Sequence, residues 1–220
     1  MTSDFELLDR WRAGDRKAGN ELFQRHFDSI SRFFENKLAD DVDDLVQGTF
    51  FALVKYAEGF RKQASFRTYL FTIAKHELYR HLRKRAKQGV DFAVTSLADL
   101  GTSAPSKLIR GERKHQLLLA LRELPVEQQM LIELHYWEGI ALEELATIFE
   151  VAPATVRSRL FRARKDLRRR MTRLAKTGGK PIGVDAGPDE VGAELGGLDE
   201  AGLEAWARGL RDDWMDADGA

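Results

Sequence analysis

Residues 141–170 read ALEELATIFEVAPATVRSRLFRARKDLRRR. Leu142, Leu145, Ala146 and Phe149 recur at helical spacing and make one short apolar face. Glu150-Val151-Ala152 breaks that pattern. Pro153 follows, a residue suited to the first turn of a new helix, where its missing N–H costs nothing. Val156, Leu160 and Leu167 then share an inward face. The spacing predicts a helix-turn-helix, with Ala146 small where two helices cross and Val151 plugging the gap. On its other side the second helix would present Arg157, Ser158, Phe161, Arg162 and Lys165. Such a helix fits the major groove of DNA with its N-terminal side chains at base edges. Arginine can grip guanine through two hydrogen bonds, and Phe161 can meet a thymine methyl. Arg164, Arg168 and Arg169 are expected on phosphates, which would make binding salt-sensitive. A plain helical hairpin with a solvated basic face shares the apolar pattern. Pro153, the plug residue and ten basic residues in 157–176 against Asp166 alone favour DNA.

Outward from this stretch, charge is unevenly spread along a neutral chain of 220 residues with 35 basic and 35 acidic side chains. Residues 177–220 hold three basic and eleven acidic residues, a net of −8, so residues 1–176 carry +8. A second basic stretch, 60–87, holds nine Lys and Arg against Glu77 alone and interleaves them with Phe60, Phe66, Tyr69, Phe71 and Tyr79. Separated nucleic-acid strands suit that mixture, since bases stack on rings while cations follow the backbone. Phe66, Tyr69, Leu70 and Ile73 share a helix face and are expected in a core. Phe60 and the polar loop after it are the better base contacts. Two separate basic stretches on one chain point to a polyanion touched at two places, although a solvated helix face would account for either stretch taken alone.

The rest of the chain reads as helices. Ser3 and Glu6 form a capping-box pattern that opens a helix through Trp11, and Ala13-Gly14-Asp15 breaks it. Phe23, Phe27, Ile30 and Phe34 predict one stripe, and Leu45, Phe50, Leu53 and Val54 another after the acidic start Asp40–Asp44. No run alternates apolar and polar residues convincingly enough for a strand. Residues 88–110, with Gly89, Gly101, Pro105 and few periodic apolar positions, read as a linker. Helical pattern resumes near Lys107 and runs through Leu117, Leu118, Leu121 and Leu124. After Pro125, Met130, Leu131, Leu134 and Trp137 form a stripe that Gly139 closes. The fold class expected is all-α: domains at 1–87 and 111–176, a flexible linker at 88–110 and an acidic, Gly-rich extension at 177–220. Within the extension Leu203, Trp206, Leu210 and Trp214 have the spacing of a short amphipathic helix.

Several chemistries are excluded. The chain has no cysteine, hence no disulfide, thiolate metal site or cysteine nucleophile. His76 and His81 resemble a zinc-protease helix but stand five apart, about 140° around the axis, where that motif needs four. Asp40, Asp41, Asp43 and Asp44 lack the glycine and spaced carboxylate of a calcium loop. There is no phosphate-cradling glycine loop and no nucleophile elbow. No metal, cofactor or enzymatic activity is therefore expected. MTSDFELLDRW lacks the basic and apolar stretches of a secretory signal, and no apolar run is long enough to span a membrane. A cytoplasmic location is the expectation.

Asp43-Asp44-Leu45-Val46-Gln47, then Phe60-Arg61 and Ser65-Phe66-Arg67-Thr68-Tyr69-Leu70, resemble the second conserved region of bacterial sigma factors. Leu124-Pro125, Gly139 and Pro153–Arg164 resemble the fourth. Two such regions joined by a linker are similar to the extracytoplasmic-function (group IV) sigma factors, over about residues 4–176. The resemblance implies a transcription initiation factor that binds core RNA polymerase and promoter DNA and acts as a monomer within the holoenzyme. It implies polymerase contacts at Asp41, Asp44, Leu45, Gln47 and Phe50. It implies −10 capture by Phe60, Arg61, Lys62, Gln63, Ala64 and Ser65, with His76 near the captured base and Arg80, Arg83 and Lys84 on adjoining DNA. Thr155, Arg157, Ser158, Phe161 and Arg162 match the −35 readers, and Lys165 extends that face. Gly48 stands where many members carry glutamate, and His76 where some use asparagine. An anti-sigma factor is a further partner known among members. The acidic extension either docks on a basic DNA-binding face or serves as a solubilising tail. A helix-turn-helix repressor that dimerises on palindromes and a protein that only sequesters an inhibitor are the other classes the sequence allows.

Overall fold

The computed structural model describes residues 2–56, 64–86, 89–102 and 112–176. These residues are helical, with turns between the helices and one isolated β-bridge. They divide into two compact units: one holds the described residues of 1–90, residue 102 and 141–155, the other those of 91–101, 112–140 and 156–176. The acidic extension lies outside the described residues.

In the first unit α1 (Asp4–Arg12) begins with the expected capping box. Ser3 N–H donates to Glu6 Oε2 at 2.7 Å, and Glu6 N–H donates back to Ser3 Oγ at 3.2 Å. Gly14 takes φ 97°, a left-handed turn that brings Asp15 to cap α2 (Arg16–Glu35) through the Lys17 and Ala18 N–H groups. Gly19 lets the two helices close together, because a Cβ there would lie 2.6 Å from Trp11 Cδ1. Helix α2 turns Leu22, His26, Ile30, Phe33 and Phe34 inward. Phe23 and Phe27, expected in that row, are 39% and 37% exposed. They sit one position past the core row, about 100° around the helix, and Phe23 packs at the core's edge against Phe50, ring centroids 4.4 Å apart.

Helix α3 (Val42–Tyr56) buries Leu45, Val46, Thr49, Phe50 and Leu53. Val54, expected in that stripe, is 54% exposed for the same reason of phase. Helix α4 (Phe66–Arg85) is capped by Ser65 and buries Phe66, Leu70, Ala74, Leu78 and Leu82, a strict every-fourth row against α2 and α3. Tyr69 and Ile73 are only half-buried. A second face of α4 is also covered, by α7 (Leu142–Phe149).

The second unit is built on α5 (Glu112–Arg122), α6 (Val126–Ile132), a π-helical turn at Glu133–Trp137 and α8 (Pro153–Lys176) from residue 156 onward. Leu117, Leu121, Leu124, Met130, Leu134 and Ile140 form its core with Val156, Leu160, Ala163 and Leu167 of α8. Gly139, at φ 64°, closes the π-helical turn, as its place after Trp137 suggests. The described part of the stretch read as a linker does more than connect. Residues 91–101 fold as successive turns on this unit, with Phe92 and Leu97 buried and the Val126 N–H donating to the Thr95 carbonyl at 2.9 Å. Asp99 fixes the turn by accepting from both Ser96 N–H and Ser96 Oγ. Two isolated apolar residues carry no period, so the sequence pattern alone gives a spacer.

Candidate nucleic-acid interface

Pro153 starts α8 after a tight turn. Glu150 adopts the left-handed conformation (φ 56°), and the Val151 N–H reaches back to the Ala146 carbonyl at 3.1 Å. The faces of α8 then separate by helical phase. Val156, Leu160, Ala163 and Leu167 are buried, whereas Arg157, Ser158, Phe161, Arg162, Lys165, Arg168 and Arg169 are exposed along one stripe. Phe161 leaves 62% of its surface in solvent, in the middle of this basic stripe. Thr155 is half-buried at the start of this stripe.

The cations of α8 fall into two sets. Arg159 pairs with Glu127 at 2.8 Å, and Arg173 and Arg170 pair with Glu123. Arg164, expected on a phosphate, donates to the Tyr136 hydroxyl at 3.0 Å. These four fasten α8 to its own unit. Arg157, Arg162, Lys165, Arg168 and Arg169 face outward, and of these Arg169 has an ion pair along the helix with Asp166 at 3.4 Å.

Helix α4 carries the second candidate surface. His76, Arg80, Arg83 and Lys84 lie at spacings of four, three and one, and all four are exposed. Arg80 pairs with Glu77, whose carboxylate would meet a Cβ on Gly48 at 3.2 Å. Arg83 stacks over the Tyr79 ring. Ala64 and Ser65 are half-buried at the start of α4, while Phe60, Arg61, Lys62 and Gln63 lie outside the described residues.

The α4 face toward α7 is polar and closely satisfied. Ser65 Oγ and Thr68 Oγ1 both donate to Glu144 Oε1, at 2.6 and 2.7 Å. Lys75, 6% exposed along its side chain, donates to the Ile148 carbonyl at 2.6 Å and to Glu150 at 3.0 Å, with His76 3.4 Å from the same carboxylate. Burial would push the Glu144 carboxyl up. The hydroxyls of Ser65 and Thr68, the Ala141 N–H and the charge of Arg67 outweigh it and hold the group below its ordinary value. The hydrogen bond and charge of Lys75, aided by His76, lower Glu150.

The acidic end of α3 forms a third surface. Asp41, Asp44 and Gln47 are exposed, but Leu45 and Phe50, named with them from the family pattern, are 6% and 8% exposed and belong to the core. The accessible row continues instead through Phe51, 70% exposed, and Val54. Helical phase from Asp44 and Gln47 points to both, since they follow at i+7 and i+10 from Asp44. Asp41 also lies 3.7 Å from Arg85 and 3.9 Å from His81. Among the described residues no cluster of His, Asp or Glu is placed to hold a metal, and no helix is long and apolar enough to cross a membrane.

An exposed basic row on α4 and a helix-turn-helix with an exposed basic face on α8 are the features of a nucleic-acid-binding protein. Residues 22–88 match the family model for Sigma-70 region 2, and residues 114–167 that for Sigma-70, region 4. The ECF RNA polymerase sigma-E factor of Escherichia coli K12 is 30% identical over 174 residues, 74% of this chain and 91% of that protein. The factor of the same name from Haemophilus influenzae is 28% identical over 175 residues, 74% of this chain and 92% of its own. The fold matches the sigma factor RpoE of Bartonella quintana, solved with the anti-sigma factor NepR, at TM-score 0.57 and 22% identity, covering 70% of this chain and 97% of that one. It also matches CnrH, solved with the cytosolic domain of CnrY, at TM-score 0.56 and 22% identity, covering 76% and 96%. The chain belongs to the extracytoplasmic-function family of RNA polymerase sigma factors, the transcription initiation factors that direct core polymerase to promoters.

Proposed function

We propose that this sigma factor divides promoter recognition between α8 and α4. Arg157, Ser158, Phe161 and Arg162, with Thr155 and Lys165 at the edges, read the −35 duplex. Arg168 and Arg169 grip its backbone. Ala64, Ser65, His76, Arg80, Arg83 and Lys84 hold the opened −10 strand, together with Phe60, Arg61, Lys62 and Gln63, which lie outside the described residues. Asp41, Asp44 and Gln47, continued by Phe51 and Val54, dock on core polymerase. Leu45 and Phe50 support that surface from beneath. Extruding a base costs a few kcal/mol, which pocket contacts and polymerase binding would offset. The polymerase makes the phosphodiester bonds, and the chain works in the cytoplasm beside it. An anti-sigma factor would act by covering the α3 or α8 surfaces.

The observation that carries this reading is the division of α8: Val156, Leu160, Ala163 and Leu167 are buried, while Arg157, Arg162, Lys165, Arg168 and Arg169 are exposed around the exposed Phe161 ring. The test is footprinting of the reconstituted holoenzyme on promoter fragments selected by the same holoenzyme. Protection at −35 lost in Arg157→Ala and Arg162→Ala, with −10 opening lost in Arg80→Ala combined with Lys84→Ala, is expected. Loss of both from either set would contradict the division.

A further inference from the structure

We propose that the acidic C-terminal extension docks on the outward face of α8 through its segment Leu203–Trp214 and covers that face in place of DNA. This rests on the reading of α8 as the −35 surface made above. The extension lies outside the described residues, so its sequence and the structure of α8 supply the two halves of the match. The first half is charge. Arg159, Arg170 and Arg173 are matched to Glu127 and Glu123 within their own unit. Of the outward cations only Arg169 has such a partner among the described residues, and Arg157, Arg162, Lys165 and Arg168 are left to an outside anion. Residues 199–218 bring seven carboxylates against Arg208 and Arg211 alone. Arginine takes a carboxylate through the same paired N–H···O bonds that it offers a phosphate, so a stripe suited to DNA also suits an acidic segment.

The second half is apolar pattern and reach. Leu203, Trp206, Leu210 and Trp214 fall in one row at helical spacing, with Asp199 and Asp213 at one edge, Glu200 at the other and Arg208 opposite. A helical row of that length spans about 17 Å, against about 18 Å from Arg157 to Arg169 on α8. A tryptophan set on the exposed Phe161 ring also comes within reach of Arg157 and Lys165, one turn to either side, and gains ring and cation–π contacts that charge alone does not give. Lys176 ends α8, and the 26 residues from Thr177 to Gly202, eight of them glycine, join it to Leu203. A glycine-rich chain of that length averages about 25–30 Å end to end, and Phe161 lies about 22 Å back along α8 from Lys176. A tether matched to its span gives the highest effective concentration. The basic row on α4 is the poorer partner, because Arg80 already pairs with Glu77 and Arg83 stacks over Tyr79.

The test uses the full chain without polymerase and a fluorescein-labelled duplex carrying a −35 element selected by the reconstituted holoenzyme, followed by anisotropy at low salt. Trp206→Ala with Trp214→Ala removes the rings and keeps every charge of the extension. Asp189→Asn with Glu190→Gln removes two charges outside the docking segment and controls for bulk repulsion. If the segment covers α8 in about nine molecules of ten, the tryptophan variant binds the duplex about tenfold more tightly than the wild type. The control stays close to the wild type, and thermal unfolding confirms that each variant is folded. Contact is read directly from a nitroxide on Ala217→Cys, since the chain has no other cysteine. It broadens the amide resonances of residues 157–169, and no longer does so in the tryptophan variant. Equal affinities in the wild type and the tryptophan variant, or broadening centred on another element, overturn the proposal and leave the −35 reading intact. Failure of every folded variant to bind the duplex removes the −35 reading and the proposal with it.

Discussion

Leu160 and Phe161 are neighbours in sequence and opposites in the structure, 4% and 62% exposed. Leu160→Ala opens a cavity among Val156, Ala163 and the helices beneath α8, a change that costs about 2–5 kcal/mol. At about 4–8 °C per kcal/mol for a domain of this size, the lower end alone is a fall in Tm of roughly 8–16 °C. Phe161→Ala removes a larger side chain but one already in water, so folding stability should move by no more than about 0.5 kcal/mol. Its effect falls on DNA. Full burial of a phenyl side chain is worth about 1.5–3 kcal/mol, so loss of a ring covered by the cognate duplex costs up to roughly 10- to 150-fold in affinity. Circular dichroism melts and anisotropy with a cognate −35 duplex separate the two. If Phe161→Ala melts like Leu160→Ala, or binds duplex like the wild type, the outward reading face is wrong.

The salt response of α8 is expected to follow its two sets of cations. Five outward residues give a slope of log K against log salt up to about −4.5 on duplex DNA, Arg168→Gln lowers its magnitude by about 0.9, and Arg173→Gln leaves it unchanged. Gly19→Ala is expected to lower Tm because the new methyl meets Trp11, 2.6 Å away at Cδ1, and to raise it in a Trp11→Ala background, where only the helix-propensity gain of about 1 kcal/mol is left. Burial lowers His26 against the pull of Asp4, 2.8 Å away, so the unfolded chain takes up this proton first. The stability held by neutral His26 is present above about pH 6.5 and lost as pH falls. Tm between pH 7.5 and 5.5 should therefore drop less in His26→Gln than in the wild type.

Local chemistry made much of this fold legible. Ser3 and Glu6 announced their capping box, Pro153 announced the start of α8, and the spacing of Val156, Leu160 and Leu167 fixed which side of α8 faces out. Of the residues the family pattern groups together, Asp41, Asp44 and Gln47 are exposed, whereas helical phase places Leu45 and Phe50 inside. The core row of α2 runs through Leu22 and the polar His26, so the larger Phe23 and Phe27 point an apolar pattern one position out of phase. A buried histidine paired with Asp4 is invisible to an apolar pattern. The second covered face of α4 was hidden for the same reason. Ser65, Thr68 and Lys75 signal a solvated surface until the carboxylates of α7, more than 70 residues away in sequence, are placed on them.

The most direct measurement is run-off transcription by a bacterial core RNA polymerase on a pool of genomic promoter fragments, with and without the chain, alongside co-elution of the two. Discrete transcripts that appear only when the chain is added, from a stable complex, and that vanish with Arg157→Ala together with Arg162→Ala, are expected. A chain that neither associates with the core enzyme nor changes its transcripts, while folded and still binding duplex DNA, would contradict the division of promoter recognition between α4 and α8.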